Sequence, residues 1–135
     1  EPVSHIMTKD VFTLNHTNSL NDAEKLFAEH EVRHLPVVSG DDLIGMLSLT
    51  DLQRISFVDN YGDGENKVDT VVYDMLTIEQ VMVSDPVSVD SSTTIKDVAS
   101  ILAKKEFHAL PVVDNNKLVG IVTTTDLINF LLEQY

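Results

Sequence analysis

Apolar positions recur in the same order twice along this chain. Leu20, Ala23, Leu26 and Phe27 follow helical spacing, and Ile95, Val98, Ile101 and Leu102 repeat it 75 positions later. A helix over roughly 19–30 and a second from about 94 are therefore predicted. Ser19 precedes Asp22, and Thr94 precedes Asp97, each at the three-residue spacing of a capping box. Leu35-Pro36-Val37-Val38 and its copy Leu110-Pro111-Val112-Val113 predict strands, with the proline suited to a first residue or an edge. The turns Gly40-Asp41-Asp42 and Asn115-Asn116 follow, the second suited to positive φ. Leu43 to Ser48 and Leu118 to Thr123 read as short buried strands. Helices from Thr50 to about Phe57, with Leu52 and Ile55 inward, and from Thr125 to Leu132 close the copies. Shorter strands are expected at Val11–Leu14 and Asp85–Val89, after apolar lead-ins at Val3–Met7 and Val81–Met82.

The chain is thus one β-α-β-β-α unit written twice. A unit of about 55 residues is marginal alone, so two copies are expected to close on each other. The predicted fold class is α+β: two repeats packed as a pseudo-two-fold pair, their small sheets facing each other, with matching clefts between the halves. The expected division is 1–57 for the first repeat, 58–77 for an acidic linker and 78–135 for the second. The linker sets Asp59, Asp63, Glu65, Asp69 and Asp74 against Lys67. Within it, 59–66 reads as an exposed loop and 71–75 as a short apolar docking piece.

Composition narrows the partners. The 22 acidic residues outnumber 9 basic ones, for a formal net charge of −13. Duplex nucleic acid and anionic lipid surfaces need clustered Lys and Arg, so neither is expected as main partner. Without cysteine there are no disulfides or thiolate metal sites. Apolar runs fall far short of the roughly 20 residues of a membrane helix, so no membrane insertion is expected. No signal segment is legible. The start at Glu1 fits a trimmed chain or a piece of a longer one. The sequon Asn15-His16-Thr17 reads as chance.

Candidate chemistry sits where apolar strands run into helices. Gly45-Met46-Leu47-Ser48-Leu49-Thr50-Asp51 returns as Gly120-Ile121-Val122-Thr123-Thr124-Thr125-Asp126. A carboxylate only accepts hydrogen bonds and suits both hydroxyls of a ribose. Ser48 and Thr123, three residues earlier, share its lip. Thr50 and Thr125 stand at the helix starts, where amides and dipole favour phosphate. The competing reading makes Thr50 and Thr125 N-caps and Asp51 and Asp126 first-turn acids, with no ligand. His30 and His34 are four apart across a helix end, a poor metal pair. The stretch 59–70 lacks the acids a calcium loop needs at its third and twelfth positions, Tyr61 and Thr70. No nucleophile–base motif or phosphate loop is present, so no enzyme is expected.

The two Leu-Pro-Val-Val strands, each followed by a hairpin and Gly-x-x-Ser/Thr-x-Thr-Asp, resemble tandem CBS domains, a Bateman module. With Arg33-His34-Leu35-Pro36-Val37-Val38, the chain looks like small stand-alone bacterial members of the acetoin-utilisation type. The resemblance implies a regulatory, non-enzymatic sensor of adenosine-containing ligands that signals to a partner or attached domain. It implies ribose contacts at Ser48, Asp51, Thr123 and Asp126, and phosphate contacts at Arg33, His34 and His108. Triphosphate binders carry more basic residues where this chain has Ala109 and Thr125. AMP or ADP is therefore the expected ligand, with ATP and S-adenosylmethionine as further candidates and no required cofactor. Adenine is expected near Val11 and Pro86. The resemblance also implies a cytoplasmic homodimer formed through helices. Phe130, Leu131 and Leu132 mark the closing helix as a candidate interface, which keeps a ligand-independent assembly module as the alternative.

Overall fold

A hydroxyl residue stands immediately before each of five helices, and its side chain accepts the amide three residues on. In the computed structural model, which describes residues 1–59, 73–105 and 108–135, these caps are Ser19, Ser48, Thr77, Thr94 and Thr123. The elements are β1 (Leu14–Asn15), α1 (Leu20–His30), β2 (His34–Ser39), β3 (Asp42–Ser48), α2 (Leu49–Asp59), α3 (Ile78–Val81), β4 (Val83–Ser84), α4 (Ile95–Lys105), β5 (Ala109–Asp114), β6 (Lys117–Thr123) and α5 (Thr124–Glu133). Each copy thus carries the β-α-β-β-α plan of an α+β fold. Two compact units form: Phe12–Gly40 with Ile44–Asp85, and Glu1–Val11 with Asp41–Leu43 and Pro86–Tyr135. They are called here the first-copy and second-copy units.

In the first-copy unit, α1 buries Leu20, Ala23 and Phe27 at its predicted helical spacing. Asp22 N donates to Ser19 Oγ (3.1 Å) and Ser19 N donates back to Asp22 Oδ2 (2.9 Å), closing the capping box. Glu31, with φ 54°, ends the helix in the left-handed region. β1 pairs in parallel with β2 through Leu14 and Val37, and β2 pairs with β3. Gly40 supplies the positive φ (64°) of the connecting turn. Leu35, Val37 and Leu47 meet α1 and Leu52 of α2 in a core that also takes Tyr73 and Ile78. Of the expected docking piece at 71–75, Tyr73 is therefore buried in this core. The expected loop at 59–66 and the calcium-loop pattern lie outside the described residues from position 60 on. The segment 78–85, which leads into the second copy along the chain, packs here: Ile78 is fully buried, and Met82 lies over Gly45.

The backbone amide of Ser19, followed by the Ser19 and Asn18 side chains, holds the Asp22 carboxyl below its ordinary range. Depression means stability that is fully present above the unfolded carboxylate pKa and lost as pH falls through the lower folded value. Acid titration of urea midpoints should therefore show a smaller drop below about pH 4 for Asp22→Asn than for the parent. Parallel curves would refute it.

In the second-copy unit, α4 buries Ile95, Val98 and Leu102, the last two in a core with Leu110, Val112 and Val122. The N-terminal lead-in belongs to this unit. Val3 is fully buried in its core, and Thr8 exchanges two backbone bonds with Ile121 (2.8 and 3.0 Å). β5 and β6 form an antiparallel hairpin whose turn residues Asn115 and Asn116 have φ 53° and 66°, as the asparagine pair predicts. The start of β3 pairs with β6 at Asp42 and Lys117, whose side chains form a 2.8 Å ion pair. That bond raises the Lys117 pKa.

The predicted short strands need correction. Only Leu14–Asn15 of the first forms a ladder, and in place of Asp85–Val89 there is β4 at Val83–Ser84 plus one bridge, Val89 to Val112. Asp85 takes φ 48°, which interrupts extended backbone. The prolines are interior to their strands: Pro36 is third in β2, and Pro111 O accepts from Val89 N (3.1 Å).

Candidate functional site

Both strand-to-helix junctions are built alike. In the first-copy unit, Ser48 ends β3 and Leu49 begins α2. Asp51 N donates to Ser48 Oγ (3.0 Å), and Leu49 N donates to the carbonyl of Arg33 (2.9 Å). In the second-copy unit, Asp126 N donates to Thr123 Oγ1 (3.1 Å), Thr123 N to Asp126 Oδ2 (2.9 Å), and Thr124 N to the carbonyl of His108 (3.0 Å). The residue before each Leu-Pro strand is thereby fastened to the mouth of the following helix. Arg33, Ser48 and Asp51 come together in one unit, and His108, Thr123 and Asp126 in the other.

This corrects the expected helix starts. Thr50 and Thr125 are not caps but the second residues of α2 and α5, both exposed. The caps are Ser48 and Thr123, so a hydroxyl at the end of an apolar strand has a purely structural use. Helix-start amides are correspondingly fewer than expected. The first amide serves residue 33 or 108 and the third serves the cap, so the amide of Thr50 or Thr125 is the one outside both bonds. The carboxylates keep spare capacity. A carboxylate offers about four acceptor positions, and Thr123 N takes one on Asp126.

Arg54, which the motif reading passed over, stands beside Asp51: Nη1 to Oδ1 is 3.7 Å. The i, i+3 spacing from Asp51 was the signal available for it. Arg33 and His108 are exposed, while His34, first in β2, is half-buried, as are Val11 and Pro86 in the second-copy unit. His30 stacks on Phe12 with ring centroids 3.8 Å apart. Among the described residues no group of three or more His, Cys, Asp or Glu is placed to hold a metal ion. No described helix is long and apolar enough to cross a membrane. An open hollow of about 700 Å³ in the second-copy unit lies elsewhere, lined by Asp90, Asp97, Ser100 and Asn115 among others.

Comparison with known proteins agrees with this architecture. A family model, CBS domain, matches residues 3–57 and 78–133. The CBS domain-containing protein YhcV of Bacillus subtilis is 30% identical, covering 93% of this chain and 81% of its own length. The structure of CBSX2 from Arabidopsis thaliana superposes with a TM-score of 0.85 at 28% identity, covering 98% of this chain and 95% of that one. CBSX2 has also been solved in complex with AMP. An acetoin utilization protein, AcuB, from Vibrio cholerae superposes with a TM-score of 0.82 at 28% identity, covering 99% and 92%. The chain spans only 39%, 23% and 22% of the first curated relatives it matches, which include a homoserine O-acetyltransferase and an inosine-5'-monophosphate dehydrogenase. With both repeats matched by the family and the same pair found in small proteins of similar length, the chain belongs to the CBS-domain family as a tandem CBS pair.

Proposed function

We propose that this CBS pair is a regulatory module that binds an adenosyl ligand of low negative charge, AMP or ADP, and passes its occupancy to a partner or attached domain. One observation carries the reading: in both copies a carboxylate with unused acceptor positions is held at a helix mouth beside residue 33 or 108. Ribose hydroxyls donate to Asp51 or Asp126. Phosphate meets the Thr50 or Thr125 amide and the side chains of Arg33, His34 or His108, and in the second-copy unit adenine lies near Val11 and Pro86. CBSX2 in complex with AMP supports the choice of ligand. ATP fits less well by charge, and S-adenosylmethionine stays a further candidate. The module performs no turnover and needs no cofactor, residues 58–77 link its repeats, and it acts in the cytoplasm. Occupancy signals only if ligand favours one arrangement of the protein over another. Calorimetry with AMP, ADP, ATP and S-adenosylmethionine tests the reading, with saturable heats expected for AMP and ADP. Flat titrations with all four end it.

A second reading rests on α5. Ile128, Leu131 and Leu132 are 51%, 57% and 65% exposed at helical spacing, more apolar surface than a lone helix face needs. It supports a homodimer assembled through this helix, independent of ligand. Light scattering should give twice the chain mass for the parent and the chain mass for Leu131→Asp. A monomeric parent at about 100 μM, with or without AMP, removes this reading.

A further inference from the structure

The two helix mouths have the same backbone and different charge. In the first-copy unit the Leu49 amide holds Arg33 at the mouth, and Arg54 lies 3.7 Å from the Asp51 carboxylate. The equivalent positions 75 residues on are His108 and Asn129. His34, next to Arg33, is matched by Ala109. The first mouth therefore sets two arginines beside one carboxylate, whereas the equivalent positions beside Asp126 hold neither Lys nor Arg. Arginine carries a fixed charge and grips phosphate through two parallel N–H bonds, which neither histidine nor asparagine does.

Resting on the adenosyl-ligand reading above, we infer that the two mouths are specialised: the first selects an adenosine compound bearing a 5′-phosphate, and the second one whose 5′ substituent is neutral or cationic. A sugar held by Asp51 carries its 5′ substituent one sugar's width away, within reach of long arginine side chains. A phosphate there is neutralised by Arg33 and by Arg54. The same phosphate beside Asp126 meets a carboxylate with no arginine to offset it, and a bare hydroxyl, thioether or sulfonium avoids that repulsion. The chain thus reads two adenosine compounds of different charge instead of one twice.

AMP and adenosine test this, since they differ only in the phosphate. Calorimetry at pH 7.5 and low salt would use Asp126→Ala, which leaves the first mouth, and Asp51→Ala, which leaves the second. The first mouth should prefer AMP over adenosine by about tenfold, and the second should show no preference or the reverse. Two exposed-surface changes give a check that spares both caps. Arg33→His with Arg54→Asn should abolish the AMP preference at the first mouth, and His108→Arg should create one at the second. Equal AMP-to-adenosine ratios at both mouths, unmoved by these exchanges, overturn the specialisation and leave the adenosyl reading standing. Failure of the parent chain to bind either compound overturns both.

Discussion

Gly120→Ala is expected to destabilise the protein by about 2–3 kcal/mol, the upper range for adding a group to a packed interior. A Cβ at position 120 would stand 2.7 Å from Met7 Sδ and 2.9 Å from the Thr8 carbonyl oxygen. The carbonyl cannot withdraw cheaply, because Thr8 exchanges both of its backbone bonds with Ile121. Gly45→Ala is the internal comparison. There the three atoms nearest the added carbon all belong to the Met82 side chain, with Cγ at 3.0 Å and Sδ closer still. Methionine has three rotatable bonds and yields more readily than backbone, so the cost should be nearer about 1 kcal/mol. Urea denaturation of the two variants measures the difference. Equal losses, or a larger loss at Gly45, would show that the Thr8 backbone is not the obstacle.

Asp126→Ala is expected to weaken binding at the second mouth by about ten- to a hundredfold, and Asp51→Ala to weaken binding at the first likewise. A charged acceptor of a buried sugar hydroxyl is worth about 1.5–3 kcal/mol, and each 1.4 kcal/mol is tenfold in affinity. Asp126→Ala also removes the carboxylate that accepts the Thr123 amide, at about 1 kcal/mol of stability. Binding and folding must therefore be separated. Asp126→Asn keeps an acceptor for the Thr123 amide while removing the charge, so its melting should stay near the parent's while affinity falls. If Asp126→Ala keeps the binding at both mouths within about twofold of the parent, the carboxylate caps a helix and touches no sugar.

Much of the fold was legible because its signals are local. The spacing of Leu20, Ala23 and Phe27 reappears as the buried face of α1, and that of Ile95, Val98 and Leu102 as the buried face of α4. Ser19 and Thr94 cap the helices they were expected to cap. The candidate site was less legible in role than in position. Ser48 and Thr123 carry the same three-residue spacing to an acid that marked Ser19 as a cap. Read as ligand groups, they hid their use in starting α2 and α5. Arg54 was missed because a ribose motif gives no reason to look one helical turn past its acid.

By itself, the sequence determined a doubled unit, its turns, its helix faces and the residue types at two repeated junctions, since periodicity and capping depend on near neighbours in the chain. Which copy's core each lead-in enters was decided only in three dimensions. Ile6-Met7 and Val81-Met82 have the same apolar character, so nothing local distinguishes a partner upstream from one downstream. Folding places Val3 and Met7 with the second copy and Ile78 and Met82 with the first. Tertiary structure likewise chose the carbonyls of Arg33 and His108 as partners for the Leu49 and Thr124 amides. A backbone acceptor is identical at every residue, and only the path of the chain brings one within reach.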